Sequence, residues 1–212
     1  MVLPPLHRFP AASAALALVV LLAACGTTGP KPTVPLPEGG TRVETPAERA
    51  IQPAAAVELR DLVRSMKSLL NLSPDIARSQ WARKLPATDA AQDRRWLAMA
   101  AQLSSFNALS PTTARTAMQA QIDASNFAKK AFYEQWASSP STLPTKPGLD
   151  ARVDTAIGAF IKALGEAQVA LKQPGSRAAL EAIAQAEMPN RTAMSAQTRS
   201  IALAPLLALA QP

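Results

Sequence analysis

From Pro53 onward, leucine, valine, isoleucine and methionine recur at spacings of three and four residues, the pattern of helices that bury one face. Leu59, Leu62, Val63, Met66, Leu69 and Leu70 predict a helix from Pro53 to about Leu72, and a proline suits the first helical position. Ser73-Pro74-Asp75 predicts the next start, with the serine as cap and the acid in the first turn. That helix carries Ile76, Trp81 and Leu85 and is expected to stop near Pro86. Asp89 with Gln92 has the spacing of a capping box and opens a helix to about Leu109, with Trp96, Met99 or Ala100, Leu103 and Phe106 as its stripe. Ser110-Pro111 launches the longest helix, to about Ala137, on which Met118, Ile122, Phe132, Tyr133 and Trp136 share a face. Residues 138–148, SSPSTLPTKPG, form the one long loop. Asp150 is then the expected cap of a helix bearing Val153, Ile157, Phe160, Ile161, Leu164 and Leu171. Ser176 is the expected cap of one bearing Leu180 and Ile183. A last piece runs from about Arg191 to Leu203, where Pro205 breaks off the apolar tail Leu206 to Leu209.

No stretch alternates in the manner of a strand, so the expected class is all-α. Short turns between most helices argue for antiparallel neighbours, an up-down bundle of about six to seven helices. The rival architecture is an α-helical repeat array, but no fixed period of about 34 residues recurs. Upstream, residues 26–52 are dense in Pro and Gly and lack apolar periodicity, so they read as a disordered tether, in which Thr45-Pro46 with Glu48 offers a short helical turn. The expected division is a leader at 1–24, a tether at 25–52 and a helical domain at 53–212.

The leader has its own pattern. Residues 1–10 carry Arg8 and no acid, and Ala11 to Ala24 are 14 uncharged residues ending in small ones. A membrane span needs about 20 such residues, so the order fits a cleaved secretory signal peptide. Leu22-Ala23-Ala24-Cys25 resembles the lipobox of bacterial lipoproteins. The resemblance implies cleavage between Ala24 and Cys25, a diacylglyceryl group on the Cys25 thiol and a further acyl chain on the new amino terminus. More than one chain would hold the protein on the membrane durably. Gly26, rather than an aspartate, after the cysteine implies the periplasmic face of a Gram-negative outer membrane.

Charge and inventory narrow the chemistry. The chain has a formal net charge of +7, and loss of Arg8 with the leader leaves 21 basic against 15 acidic residues, or +6. The polyanions met in that compartment are lipid headgroups, lipopolysaccharide and peptidoglycan, and nucleic acid is not an expected partner. The one cysteine is Cys25 and the one histidine, His7, lies in the leader. Ser-His and Cys-His nucleophilic catalysis and His/Cys metal sites are thereby excluded from the mature chain, and no cofactor or metal is expected. Asp89/Asp93 and Asp150/Asp154 are carboxylate pairs at i, i+4, but each lies in a first helical turn, where the helix dipole explains acids.

Two surfaces stand out. Phe127, Lys129, Tyr133 and Trp136 form a candidate binding face in which Lys129 meets an anion; the plainer reading is packing, with the Lys129 ammonium reaching water. Arg60, Arg64 and Lys67 make a basic row at i, i+4, i+7, either a patch facing membrane or peptidoglycan or a solvated face. The expectation is therefore a non-catalytic, lipid-anchored periplasmic protein that works by contact with another envelope protein. The alternative is a binding module for an anionic envelope component.

Overall fold

The computed structural model describes residues 45–49, 51–138, 145–191 and 194–212, all within the compact unit Arg42–Pro212. The leader, the Ala24/Cys25 cleavage site, the lipidated Cys25, the tether as far as residue 44 and residues 139–144 of the long loop lie outside the described residues.

Among the described residues the chain is all-α. The helices are α1 (Pro46–Arg49), α2 (Pro53–Leu70), α3 (Ser73–Ala82), α4 (Ala90–Ser104), α5 (Pro111–Ser138), α6 (Leu149–Glu166), α7 (Gln168–Leu171), α8 (Ser176–Glu187) and α9 (Ala196–Leu209), with a 3-10 turn at Ser105–Asn107. Leu59, Leu62, Val63 and Met66 are fully buried where α2 meets α6, α7 and α8, against Ile157, Phe160, Ile161, Leu164, Leu180 and Ile183. Each such side chain stabilises the fold by about 1.5–3 kcal/mol relative to exposure. On the other side α5 packs on α3, α4 and α9. Contacts between α2 and α8, and between α5 and α9, join elements far apart in sequence. A repeat array has contacts between successive units only, so that rival is eliminated.

Order begins earlier than Pro53. Thr45 and Glu48 form a reciprocal capping box: the Thr45 N–H donates to Glu48 Oε2 at 2.7 Å and the Glu48 N–H to Thr45 Oγ1 at 3.2 Å. Arg60 of α2 donates to Glu48 Oε1 at 2.7 Å, Ile51 is buried, and α1 packs on α8.

Several helix ends depart from expectation, each for a local reason. Ser73 does not cap α3, because its hydroxyl bonds Ser125 Oγ of α5 at 2.9 Å in the interior. The helix α3 ends at Ala82, short of Pro86, in a Schellman closure: Leu85 N–H donates to the Gln80 carbonyl at 2.9 Å and Lys84 N–H to that of Trp81 at 2.9 Å, with Lys84 at φ 57°. Asp89 does cap α4, accepting from the N–H groups of Ala91 and Gln92. Phe106, assigned to the stripe of α4, is 83% exposed, because the tighter 3-10 turn rotates it out of phase. Gly148 at φ 67° precedes α6, so Asp150 lies in the first turn instead of at the cap. Gly175 does the same for α8, and Ser176 instead donates to the Leu171 carbonyl at 2.7 Å and accepts from Gln211 N–H at 3.0 Å. Pro205 does not break α9. Leu203 and Leu206 are buried and α9 lies on α5, so the apolar tail packs on its own domain.

Two helical glycines in α6 predict opposite effects. A Cβ at Gly165 would collide with the Asn107 carbonyl, whereas one at Gly158 meets nothing within 4 Å. In urea melts Gly165→Ala is expected to lower stability by about 1–3 kcal/mol through overpacking, and Gly158→Ala to raise it by about 0.5–1 kcal/mol through helix propensity.

Candidate functional site

The polar interior of the domain lies where α3, α4 and α5 meet. A helix of this length buries a full face, and α5 turns Ser125 and Lys129 toward α3, whereas Gln121, one turn earlier, donates to the Ala202 carbonyl of α9 at 3.0 Å. Lys129 is completely buried, and its Nζ donates to Gln80 Oε1 of α3 at 3.2 Å. Gln80 Nε2 in turn donates to Gln92 Oε1 of α4 at 3.1 Å. Gln92 is therefore drawn away from the capping box into an interhelical chain. An ammonium has three N–H donors, so Lys129 retains two beyond the Gln80 bond. Burial pushes it down to about 8, with the carboxylates of Asp93 and Asp89 pulling the other way.

Asp93 of α4 accepts from Asn126 Nδ2 of α5 at 3.3 Å through Oδ2, while its Oδ1 is buried without a donor. Burial raises the Asp93 carboxyl above its ordinary value; Asn126 and Lys129 oppose the shift, and Asp89 and Asp123 add to it. An aromatic cluster closes one end. Trp81 meets Tyr133 edge-on at 5.0 Å and Trp136 at 5.8 Å, Phe132 stacks on Trp136, and Tyr133 O–H donates to the Leu85 carbonyl at 2.9 Å. That bond ties the Schellman closure of α3 to α5 and so holds Gln80 in register with Lys129.

A second set adjoins the first through the Ser73–Ser125 hydroxyl pair. Asp75 of α3 receives Arg78 at 2.9 Å on Oδ1, and both Arg152 of α6 at 3.1 Å and Lys146 at 3.3 Å on Oδ2. Burial alone would raise the Asp75 carboxyl, but the hydrogen bonds and charges of Lys146 and Arg152 outweigh it and hold it below its ordinary value. Three cations on one carboxylate leave the cluster strongly positive.

The other sequence candidates fall elsewhere. Phe127 is half exposed on the opposite side of α5, while Trp136 is buried and Tyr133 partly so on the side of Lys129. The Lys129 ammonium does not reach water, contrary to the packing alternative. In the basic row Arg60 is bound to Glu48, and both Arg64 at 3.1 Å and Lys67 at 3.9 Å approach Glu187. Asp89 serves as a cap, and Asp154 pairs with Arg95 at 3.0 Å. Among the described residues no group of three or more His, Cys, Asp or Glu stands ready to hold a metal ion, and no helix is long and apolar enough to cross a membrane. Gln80, Gln92, Asn126 and the Asp75 cluster escaped sequence reasoning. The available signal was polar residues at apolar-periodic positions, Gln80 one turn after Ile76 and Lys129 two turns after Ile122.

No family model matches the chain, and no curated protein matches it. Solved structures do. A chorismate mutase from Burkholderia phymatum is 18% identical with a TM-score of 0.62, over 72% of this chain and 98% of that one. A chorismate mutase from Burkholderia thailandensis is 22% identical with a TM-score of 0.62, over 70% of this chain and 98% of that one. The chain thus has an all-helical fold found in enzymes. The expectation of a non-catalytic protein, in either its interaction or its binding-module form, is overturned by these neighbours. The inventory that supported it covered nucleophilic, metal and paired-carboxylate chemistry only.

The buried cation has a measurable signature. The folded protein holds the Lys129 proton less tightly than the unfolded chain, so this group makes stability rise with pH between about 8 and its ordinary 10.5, and leaves it level below 8. Lys129→Met is expected to raise stability at pH 7 by about 1–3 kcal/mol and to flatten that rise. Urea melts across pH 6–10 on both proteins check it.

Proposed function

We propose that the domain is an enzyme that rearranges a small carboxylic acid of the chorismate kind without a cofactor, in the space between α3, α4 and α5 around Lys129. The observation that carries the reading is Lys129 itself. A fully buried cation with one neutral hydrogen-bond partner lowers stability, and an anionic ligand supplies a closer countercharge than Asp93 and Asp89, neither of which pairs with it directly. The fold shared over nearly the whole length of two mutases favours catalysis as the use of that cation. The cation cluster of Arg78, Lys146 and Arg152 at the adjoining end of α3 offers surplus charge for a second carboxylate.

The chemistry needed is modest. A rearrangement breaks and forms bonds within one molecule, so no group is transferred to the protein. The side chains bind the carboxylates, hold the reacting ends together and exclude water; positioning of this kind supplies up to about 7–11 kcal/mol of a barrier. Fixed donors such as the Lys129 ammonium stabilise negative charge that grows on an oxygen as a bond breaks, worth about 100-fold or more in rate for one donor. The buried cation lowers fold stability, a trade-off common at active sites.

The address is part of the proposal. The 14-residue apolar run and the Leu22–Cys25 motif support an enzyme anchored through Cys25 to the periplasmic face of an outer membrane. The test is chorismate consumption by the full-length protein purified in detergent, followed by loss of its ultraviolet absorbance with the product identified by mass. The expected result is turnover at unchanged substrate mass, reduced about 100-fold or more by Lys129→Met with the fold intact. Absence of turnover in the wild-type protein overturns the proposal.

A further inference from the structure

A groove of about 730 Å³ runs along the seam of α4, α5 and α9, and the polar groups around Lys129 are not among its lining residues. Its size is that of a ligand cleft, about 300–1,000 Å³. Half-buried Leu97 of α4 and Ile201 and Pro205 of α9 give it an apolar floor. Arg115, Gln119 and Asp123 of α5 form one wall, where a spacing of i, i+4, i+8 keeps them on one face. The helical rise sets Arg115 and Asp123 about 12 Å apart along that wall. Arg115 is exposed and forms no ion pair among the described residues. Asp123 Oδ1 accepts from Gln119 Nε2 at 2.8 Å, which leaves Oδ2 for another donor. The floor carries an acceptor of its own. Pro205 has no N–H, so the Ile201 carbonyl lacks its helical donor. Ile201 and Pro205 lie at i, i+4 and both line the groove, so this carbonyl belongs to the groove face of α9.

A complementary occupant has a carboxylate at one end, an ammonium about 12 Å away, an N–H between them and apolar side chains. A purely anionic molecule brings no partner for Asp123, and a polyamine brings none for Arg115. A free amino acid carries both charges on one carbon and does not span the distance. An extended peptide covers about 3.3–3.6 Å per residue, so about three or four residues span it. We propose that the groove binds a short free peptide of that length. Its C-terminal carboxylate lies on Arg115, its N-terminal ammonium on Asp123, and a backbone N–H donates to the Ile201 carbonyl. Exposed ion pairs contribute little singly, so affinity comes from the two ends acting together with apolar side chains buried on Leu97, Ile201 and Pro205. The site is separate from the one around Lys129, and the proposal does not rest on turnover there.

The test is calorimetric titration of the full-length protein in detergent with the tripeptide Leu-Ala-Leu, with its N-acetylated and its C-amidated forms, and with free leucine. The free tripeptide is expected to bind about fivefold more tightly than either capped form and about tenfold or more tightly than leucine. Arg115→Gln is expected to remove only the distinction between carboxylate and amide, and Asp123→Asn only that between ammonium and acetylated amine. Both side chains are exposed, so the fold tolerates either change. Absence of tripeptide binding overturns the proposal, as does equal affinity for the free and capped forms or for leucine. Retention of both distinctions in the two variants overturns it as well.

Discussion

The hydrogen bond from the Lys129 ammonium to Gln80 is the contact around which the α3–α4–α5 half of the domain is arranged. A cation carried into the interior by the middle of a long helix must find polar partners there or lose its proton. Gln80 supplies the acceptor only because α3 reaches it before closing at Lys84, and that closure is held by Tyr133, one turn beyond Lys129 on α5. Gln92 supplies the second link only because Asp89 takes over the capping of α4. Each local decision at a helix end serves the same buried group.

The α2–α6–α8 half is built differently. Its interface is aliphatic, with Leu59, Leu62, Val63 and Met66 set against Ile157, Phe160 and Leu180, and it needs no polar correction. Stability from that half offsets the unfavourable burial of Lys129. Glu48 shows how far even the charged periphery is tied down: burial alone would raise its carboxyl, but the Thr45 N–H, the Arg60 guanidinium and the Thr45 hydroxyl hold it below its ordinary value. The domain thus joins a rigid aliphatic half to a polar half that keeps unused hydrogen-bonding capacity, an arrangement suited to a ligand site.

The helices were legible because apolar spacing reports which face is buried, and that spacing survives in α2 and α6 almost residue for residue, while on α5 Met118, Ile122 and Trp136 are buried and Phe132 and Tyr133 only partly so. Helix ends were less legible, since a serine or aspartate near a start has two uses for its oxygen. Asp89 caps, while Ser73 and Ser176 spend their hydroxyls on Ser125, Leu171 and Gln211. Pro205 was misread because breaking a helix is a local rule, and burial of Leu203 and Leu206 against α5 overrides it. At the site, Lys129 was conspicuous in the sequence, but its partners were not, because Gln80, Gln92 and Asn126 come from three helices whose juxtaposition is a tertiary fact. The step from an absent histidine and thiol to an absent enzyme went further than chemistry allows, because that inventory excludes nucleophilic and His/Cys metal catalysis but not catalysis by position and charge.

On the proposed function Lys129 is a buried cation that an anionic ligand neutralises. The most direct measurement is its own titration, followed through the carbon resonance of its ε-methylene in specifically labelled protein, without and with chorismate. The account predicts a midpoint near 8 in the free protein that moves upward when the ligand's carboxylate supplies a countercharge. A midpoint at the ordinary lysine value, unmoved by chorismate, would contradict it.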